Sequence, residues 1–399
     1  MAGWVEKRGE NTWRLNAPGG TGPDGKRVVY RKTVEAKSKR EAEKLLAEFV
    51  AEVQKGQYVE PSKLTFAEFV ERWLKNYAEK NLAPKTLFRY KQILESRVLP
   101  AMGHLKVEQI KPFHLMEFYA NLQEDGIRED GKPGGLSEKT ILYHHRVISS
   151  ILNDAVEWQV IPSNPAARVK PPRVQKKPAA CYDEEQTAAL LAAAEAEEAK
   201  YRVLINLAVF TGLRRGELMG LEWKDIDFAA ATLRVHQASQ YLPGRGVFTK
   251  EPKNESSVRI LALPSFLVVM LKQYKKEQAE ARLKAGDLWQ GSDRLFTTWD
   301  GQPMHPDTIS KWFPKFLKKH GLPSLPFHGL RHTAATMLIN QGLPAKSISG
   351  RLGHANIGTT MDIYGHYLRS ADREAADRLE QVYQTMKESG KKGTKKGRA

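Results

Sequence analysis

The stretch LAVFTGLRRGELMGLEW, residues 207–223, places charged side chains directly after a strongly apolar helical pattern. Thr211 and Gly212 interrupt this pattern, and the spacing predicts a second helix on which Arg214 and Glu217 face one another. A guanidinium that a carboxylate orients at a helix junction can donate two hydrogen bonds to one phosphate. Taken alone, such a pair is more often an ordinary surface ion pair, which contributes less than ~1 kcal/mol.

A second stretch, LPFHGLRHTAATMLINQG at residues 325–342, carries His328, Arg331 and His332 at helical spacing, so their side chains share one face. Two histidines four positions apart also occur in zinc-binding helices. Gly329, however, stands where the HExxH pattern of such helices requires glutamate. We therefore predict no metal site and interpret the three side chains as a cationic, hydrogen-bonding surface that can surround a phosphate.

A third stretch, LGHANIGTTMDIYGHY at residues 352–367, places His354 ten positions before Tyr364. Tyrosine is a weak nucleophile at neutral pH, because its phenol has a pKa near ~10, unless cations stabilise the phenolate. Arginines from the two earlier stretches would supply those cations. Without them, a tyrosine at such a position is most often a packing residue.

The three stretches together predict phosphoryl transfer. Two arginines would neutralise the nonbridging oxygens, histidines would donate hydrogen bonds to them, and the tyrosine would displace a sugar oxygen in line. The departing 5′ oxygen needs a proton donor, and the stretch TKEPKNESSVRILALP, residues 249–264, offers Lys250 and Lys253. This chemistry requires neither a metal nor another cofactor, and we predict none.

The charge of the chain favours a polyanionic partner. Its 399 residues include 63 Lys and Arg against 46 Asp and Glu, a net charge of +17, which is typical of nucleic-acid-binding proteins. A basic surface that serves solubility, or that attracts anionic lipid, is the alternative. The single cysteine, Cys181, excludes an internal disulfide. The sequence has no signal-peptide pattern and no apolar run of ~18 residues, which predicts a soluble, cytoplasmic protein with no membrane partner.

Patterns along the chain predict several domains, most of them helical. Residues 11–36 alternate like short strands, Ser38 with Glu41 opens a helix, and Thr65 with Glu68 opens the first of several more. After a proline-rich basic linker, helices resume at Asp183. The remaining predictions are an antiparallel sheet near residues 231–236, 246–250 and 257–263, helices again after about residue 306, and a disordered basic tail.

Basic residues outside the three stretches are candidates for contacts with DNA phosphates. They are Arg31 in the N-terminal strands, Lys85, Arg89, Lys139 and Arg146 on the predicted helices, and Lys170, Arg173, Lys176 and Lys177 in the linker. Charges on a helical surface are usually only solvated, so each of these residues also has an interpretation without DNA.

The order of TGLRRGEL, PKNESSVRILALP, HGLRH and LGHANIGTTMDIYGH resembles the catalytic domain of tyrosine recombinases of the phage-integrase family. The resemblance implies a multidomain, mainly α fold. Its expected parts are a three-stranded sheet-plus-helix arm-binding module at residues 1–60, a helical core-binding bundle at 61–168, a linker at 169–180, a mostly helical α+β catalytic domain at 181–386, and a basic tail at 387–399.

The resemblance also implies a role for each matching residue. Arg214 and Arg331 would clamp the phosphate, and Glu217 would support the arginine. Lys253 would protonate the leaving oxygen, although Lys250 lies close enough in sequence to compete for this role. His328 and His354 would contact the phosphate, and Tyr364 would become covalently attached to the 3′ phosphate of DNA.

The function implied is site-specific recombination that integrates and excises a mobile element, with four protomers assembled on double-stranded attachment sites of core and arm type. A directionality factor or a host DNA-bending protein is a further expected partner. Helical sequence near residues 370–386 is expected to dock on a neighbouring protomer, or else to pack against the protomer to which it belongs. Two alternatives are a DNA-binding architectural protein that kept the fold, and a topoisomerase-like enzyme that nicks and rejoins DNA.

Overall fold

The computed structural model of the chain describes residues 3–21, 25–55, 58, 63–175, 179–250, 258–354, 356–358, 360–361 and 379–386. The chain divides into two compact units, Met1–Lys176 and Lys177–Ala399. Their border falls inside the predicted linker. Across the described ranges, no helix is long and apolar enough to cross a bilayer.

The first unit begins with a small antiparallel sheet and one helix, as predicted. The strands are β1 (Trp4–Lys7), β2 (Thr12–Thr21) and β3 (Arg27–Glu35), in that spatial order, followed by helix α1 (Lys39–Gln54). Phe49 of α1 packs against Leu15 and Ala17 of the central strand. The Ser38 hydroxyl caps α1 by accepting a hydrogen bond from the amide of Glu41 at 3.2 Å.

The rest of the first unit is helical. Its helices are α2 (Phe66–Trp73), α3 (Glu79–Asn81), α4 (Pro84–Ile93), α5 (Leu99–Met102), α6 (Pro112–Asn121) and α7 (Glu138–Glu157), and the π-helical segments Leu74–Ala78 and Leu94–Val98 join α2 to α3 and α4 to α5. Thr65 and Glu68 form the predicted capping box. The apolar stripe that follows is buried at Phe66, Phe69 and Trp73, so these aromatic rings form core rather than a surface for stacking bases.

The second unit consists of helices and two small sheets. Its helices are α8 (Glu184–Glu195), α9 (Ala199–Thr211), α10 (Arg215–Gly220), α11 (Ser265–Ala285), α12 (Pro306–Lys319), α13 (Gly329–Asn340) and α14 (Ala345–Leu352). Its strands are β4 (Ile226–Asp227), β5 (Thr232–Val235), β6 (Ala238–Leu242), β7 (Gly246–Lys250) and β8 (Arg259–Ala262). Helix α9 crosses the core, and every residue from Val203 to Val209 is buried.

Two predictions for this unit were wrong in detail. The segment near 246–250 does not join one sheet with the other two, because β7 pairs with β6 in a separate hairpin while β5 pairs with β4 and β8. Helix α11 was not predicted. Its apolar contacts lie only in its first half, at Leu267, Val268, Leu271 and Tyr274, and the charged second half hides the helical period.

Candidate active site

The junction between α9 and α10 positions Arg214 as the sequence predicted. Gly212 ends α9 in the left-handed conformation with φ of 66°, and Arg214 follows in extended conformation as the N-cap residue of α10. A Cβ on Gly212 would lie 2.5 Å from Leu352 Cδ2. Glycine is therefore required here both by the backbone angle and by the close approach of α14.

Glu217 is the buried anion that orients this arginine. Its carboxylate accepts hydrogen bonds from the Arg214 amide at 3.0 Å and from Arg214 Nη1 at 2.8 Å. Arg259 Nη2 donates at 2.9 Å to Oε2, the same carboxylate oxygen that accepts from the Arg214 amide. Burial opposes ionisation of Glu217, but the hydrogen bonds and charges of Arg259 and Arg214 outweigh that effect and hold its pKa below the ordinary value.

Backbone carbonyls at two helix ends hold Arg214 and Arg331, the two arginines predicted to clamp the phosphate. Arg331 is 3% exposed, and its two terminal nitrogens donate to the carbonyls of Gly212 and Leu352, each at 2.7 Å. Arg214 Nη2 donates to the carbonyl of Gly353 at 3.0 Å. The ends of α9 and α14 carry the negative pole of the helix dipole, which favours cations there. The structure therefore brings Arg214 and Arg331 together around one short segment.

Three histidines border the two arginines. The rings of His328 and His332 lie edge to face with centroids 5.1 Å apart, and Nδ1 of His354 lies 2.8 Å from the buried hydroxyl of Thr360. Burial first and neighbouring positive charge second lower the pKa of His328, and lower those of His332 and His354 to about 4. All three imidazoles are therefore neutral near pH 7.

Several predicted site residues lie outside the described residues: Lys253, Tyr364, Lys176 and Lys177. The competing lysine, Lys250, is the last residue of β7 and pairs with Ala238 across the hairpin. Roles for Lys253 and Tyr364 thus remain predictions. Among the described residues, no three His, Cys, Asp or Glu side chains cluster in the manner of a metal site.

Arg259 is a site residue that sequence reasoning missed. It is the first residue of β8, its side chain is 7% exposed, and besides Glu217 it bonds the carbonyl of Arg351 through Nε at 2.8 Å. A signal was present in the sequence. Arg259 alternates with Leu261 and Leu263, both buried, and a charge on the buried face of a strand needs an internal partner.

The described candidates for DNA contacts are all exposed. Arg31 lies on β3, Lys85 and Arg89 lie four positions apart on α4, Lys139 and Arg146 lie on α7, and Lys170 and Arg173 precede the border between the units. Within the part of the chain that the structure describes, the four basic side chains on α4 and α7 form no ion pair. Their charge is thus available to an anionic partner.

Two family models match the parts of the chain described above. The model "Phage integrase family" matches residues 181–370, which include α8 to α14 and the site, and "Phage integrase, N-terminal SAM-like domain" matches residues 65–123. The chain belongs to the phage integrase family. The resemblance drawn from the four sequence stretches is therefore confirmed.

Relatives of this phage integrase family member align along nearly their whole length. It is 29% identical over 395 residues to a "Tyrosine recombinase XerC-like" protein of Caldanaerobacter subterraneus, covering 94% of this chain and 98% of the relative. It is 25% identical to the "ICEBs1 integrase" of Bacillus subtilis, covering 95% and 99%. Because at most about 6% of this chain is left unaligned, both alignments extend into the part before residue 60.

Solved structures of integrases share the fold. The Tn1549 transposon integrase, in complex with a circular intermediate DNA, matches 79% of this chain and 100% of that chain with a TM-score of 0.65 at 22% identity. A lambda integrase dimer bound to a COC′ core site matches 90% and 95% with a TM-score of 0.54 at 18% identity. The predicted multidomain, mainly helical fold is confirmed.

Proposed function

We propose that the protein is a site-specific DNA recombinase that integrates and excises a mobile element through a covalent 3′-phosphotyrosyl intermediate. The observation that carries this proposal is the convergence of Arg214 and Arg331. Both are held by backbone carbonyls from residues 352–353, beside three neutral histidines. Two fixed guanidinium groups at one point favour a phosphate whose negative charge grows in the transition state.

The proposed reaction uses the side chains in separate roles. Tyr364 attacks the phosphorus as the phenolate, the bond from phosphorus to the 5′ oxygen breaks, and the ammonium of a lysine, Lys253 or Lys250, gives that oxygen its proton. The arginines stabilise the nonbridging oxygens. A neutral His354 that accepts the Thr360 hydroxyl at Nδ1 carries its own proton on Nε2, where it can donate to a phosphoryl oxygen.

The 3′-phosphotyrosyl bond would conserve the energy of the phosphodiester, so strand exchange needs no nucleotide cofactor. The freed 5′ hydroxyl of one duplex attacks the phosphotyrosyl bond in the other, and four protomers on two DNA sites supply the reacting strands. The integrases whose solved structures share this fold are described as bound to DNA, which supports double-stranded DNA as the partner.

We assign the parts of the chain by the same reasoning. Residues 1–60 would bind arm-type sites, 61–168 core-type sites and 181–386 the scissile phosphate, with 169–180 as linker and 387–399 as a basic tail. The sheet-plus-helix module supports integration over topoisomerase-like relaxation, because relaxing supercoils requires no second class of DNA site. A directionality factor or a DNA-bending host protein would then select integration or excision.

A suicide substrate tests the chemistry. A nicked duplex that carries the short sequence repeated at both ends of the element is incubated with the protein, and a denaturation-resistant protein–DNA adduct is sought on gels. We expect the adduct with the natural chain and with Tyr367→Phe, and none with Tyr364→Phe, which should still bind DNA. An adduct formed by Tyr364→Phe would refute the assignment of the nucleophile, and none from the natural chain would favour an architectural DNA-binding protein.

A further inference from the structure

A buried arginine holds the strand that ends at Lys250. Thr249, the residue before this lysine on β7, accepts a hydrogen bond at Oγ1 from Arg294 Nη2 at 2.7 Å. Arg294 is 7% exposed, whereas Thr249 lies at the surface. The guanidinium thus reaches from the interior to the end of β7.

The same guanidinium is also fixed to helix α10. Its Nη1 donates to the carbonyl of Gly220, the last residue of α10, and Gln237, just before β6, donates to that carbonyl as well. The backbone next to Arg294 is held too, because the Leu295 amide donates to the Leu221 carbonyl at 3.0 Å. Besides its bond to Thr249, Arg294 is therefore held through its side chain at Gly220 and through the adjacent backbone at Leu221.

Helix α10 connects this anchor to the phosphate clamp. Arg214 is the N-cap residue of α10 and Glu217 lies in its first turn. At the other end, a Cβ on Gly220 would lie 3.0 Å from the backbone nitrogen of Ser239, so helix and hairpin contact each other without side chains between them. One short helix thus holds Arg214 and Glu217 at its start and contacts, at its end, the hairpin whose second strand ends at Lys250.

We propose that Arg294 is a positioning residue for the proton-transfer step. By bonding both Thr249 and the end of α10, it fixes the end of β7, which carries Lys250, against that helix. It thereby sets the position of the lysine proton donor relative to Arg214. This inference rests on the proposed function. In that step the Tyr364 phenolate oxygen bonds to phosphorus, the bond to the 5′ oxygen breaks, and the lysine ammonium gives its proton to that oxygen. Arg294 is not one of the reacting groups.

The experiment compares two leaving groups. One nicked suicide duplex carries the ordinary 5′ bridging oxygen, and the other carries sulfur at the same position. A thiol has a pKa near ~8.5, far below that of an alcohol, so the thiolate leaves without a proton. Only cleavage of the oxygen substrate depends on the lysine, and a general structural defect would slow both.

Thr249→Val removes the hydroxyl at an exposed position and leaves the Gly220 carbonyl as an acceptor for Arg294. Thr249→Ser keeps the hydroxyl as a matched control. We expect Thr249→Val to slow single-turnover cleavage of the oxygen substrate by about 10- to 100-fold, as the loss of one hydrogen bond to a charged group would, and to leave the sulfur substrate unchanged. Thr249→Ser should match the natural chain on both. Arg294→Lys, which cannot reach both acceptors, should show the same selectivity.

The outcomes are distinct. Equal slowing of both substrates by Thr249→Val, or no slowing of either, would overturn the positioning role. If the natural chain cleaved neither substrate, the proposed function itself would fail and this inference with it. Slower cleavage of the oxygen substrate alone by Thr249→Val, with no slowing by Thr249→Ser, supports both the positioning role and the proposed function.

Discussion

The site places two kinds of group side by side: permanently charged guanidinium groups and imidazoles that stay neutral. Burial, and after it the charges of Arg331 and Arg214, lower the pKa of His354 to about 4. The same charges would attract a phosphate, whose negative charge would in turn favour protonation of the imidazole. The histidines are thus hydrogen-bond donors at the start of the proposed reaction, and the arginines supply the positive charge.

Arg331 offers the sharpest test at the residue scale. Arg331→Ala should lower the rate of strand cleavage by about 10³- to 10⁵-fold, the range for arginines that stabilise phosphoryl transfer, with a much smaller loss in DNA binding. Rates of adduct formation and binding by gel shift measure the two effects. Unchanged cleavage would contradict the clamp.

Arg215 is the matched control for that substitution. It neighbours Arg214 in sequence, but its side chain pairs with Asp307 on α12 at 2.9 Å, away from the clamp. A partly exposed pair of this kind contributes about 0–1 kcal/mol. Arg215→Ala should therefore keep cleavage within a few-fold of the natural rate, and a loss as large as that of Arg331→Ala would mean that general basicity, not position, matters.

At the scale of elements, the ends of three helices position Arg214 and Arg331. The C-terminal turns of α9 and α14 present carbonyls to Arg331, and α10 begins where Arg214 stands. The clamp therefore depends on how closely α9 and α14 approach one another. Gly212 lies at that approach.

Gly212→Ala should separate these two helix ends. The left-handed backbone costs an alanine about 1–2 kcal/mol, and the overlap with Leu352 adds a further ~1–3 kcal/mol. We expect a matching fall in the free energy of unfolding together with slower cleavage. The control is Gly350→Ala on α14, where a Cβ meets nothing within 4 Å and alanine should be neutral or stabilise by up to ~1 kcal/mol. Chemical denaturation measures both, and equal stability of the two variants would contradict this account.

At the scale of the whole molecule, two units carry different proposed contacts. The first unit contains exposed Lys85, Arg89, Lys139 and Arg146, and the second contains Arg214 and Arg331, the proposed phosphate clamp. A protein that holds a duplex through both would lose affinity as salt rises, because phosphate contacts release counterions. Such contacts give affinity without reading the base sequence.

Removal of the N-terminal module tests the division of labour in the first unit. Deleting residues 1–56 should spare binding to core-type sites and remove binding to separate arm-type sites. Footprinting on DNA that carries both kinds of site measures the two at once. Arm-site protection that survives the deletion would refute the proposed role of the module.

The sequence predicted those features that depend on neighbours within about four residues. The caps at Ser38 and Thr65, the glycine break after α9 and the Arg214–Glu217 pair all follow from local spacing. It predicted strand pairing less well. The prediction that β7 joins the same sheet as β5 and β8 was wrong. Pairing depends on which strand lies alongside, and a short alternating run does not contain that information.

By itself, the sequence determined the chemical groups of this protein: its positive charge, the order of its four stretches and its local helix starts. Only the tertiary structure decided what holds those groups in place. Arg331 is oriented by the carbonyl of Gly212, Arg214 by that of Gly353, and Arg294 joins Gly220 to Thr249. The physical reason is that every residue carries the same backbone carbonyl. Nothing in the sequence marks which carbonyl will accept, so the choice is made only when distant helix ends and strands pack together.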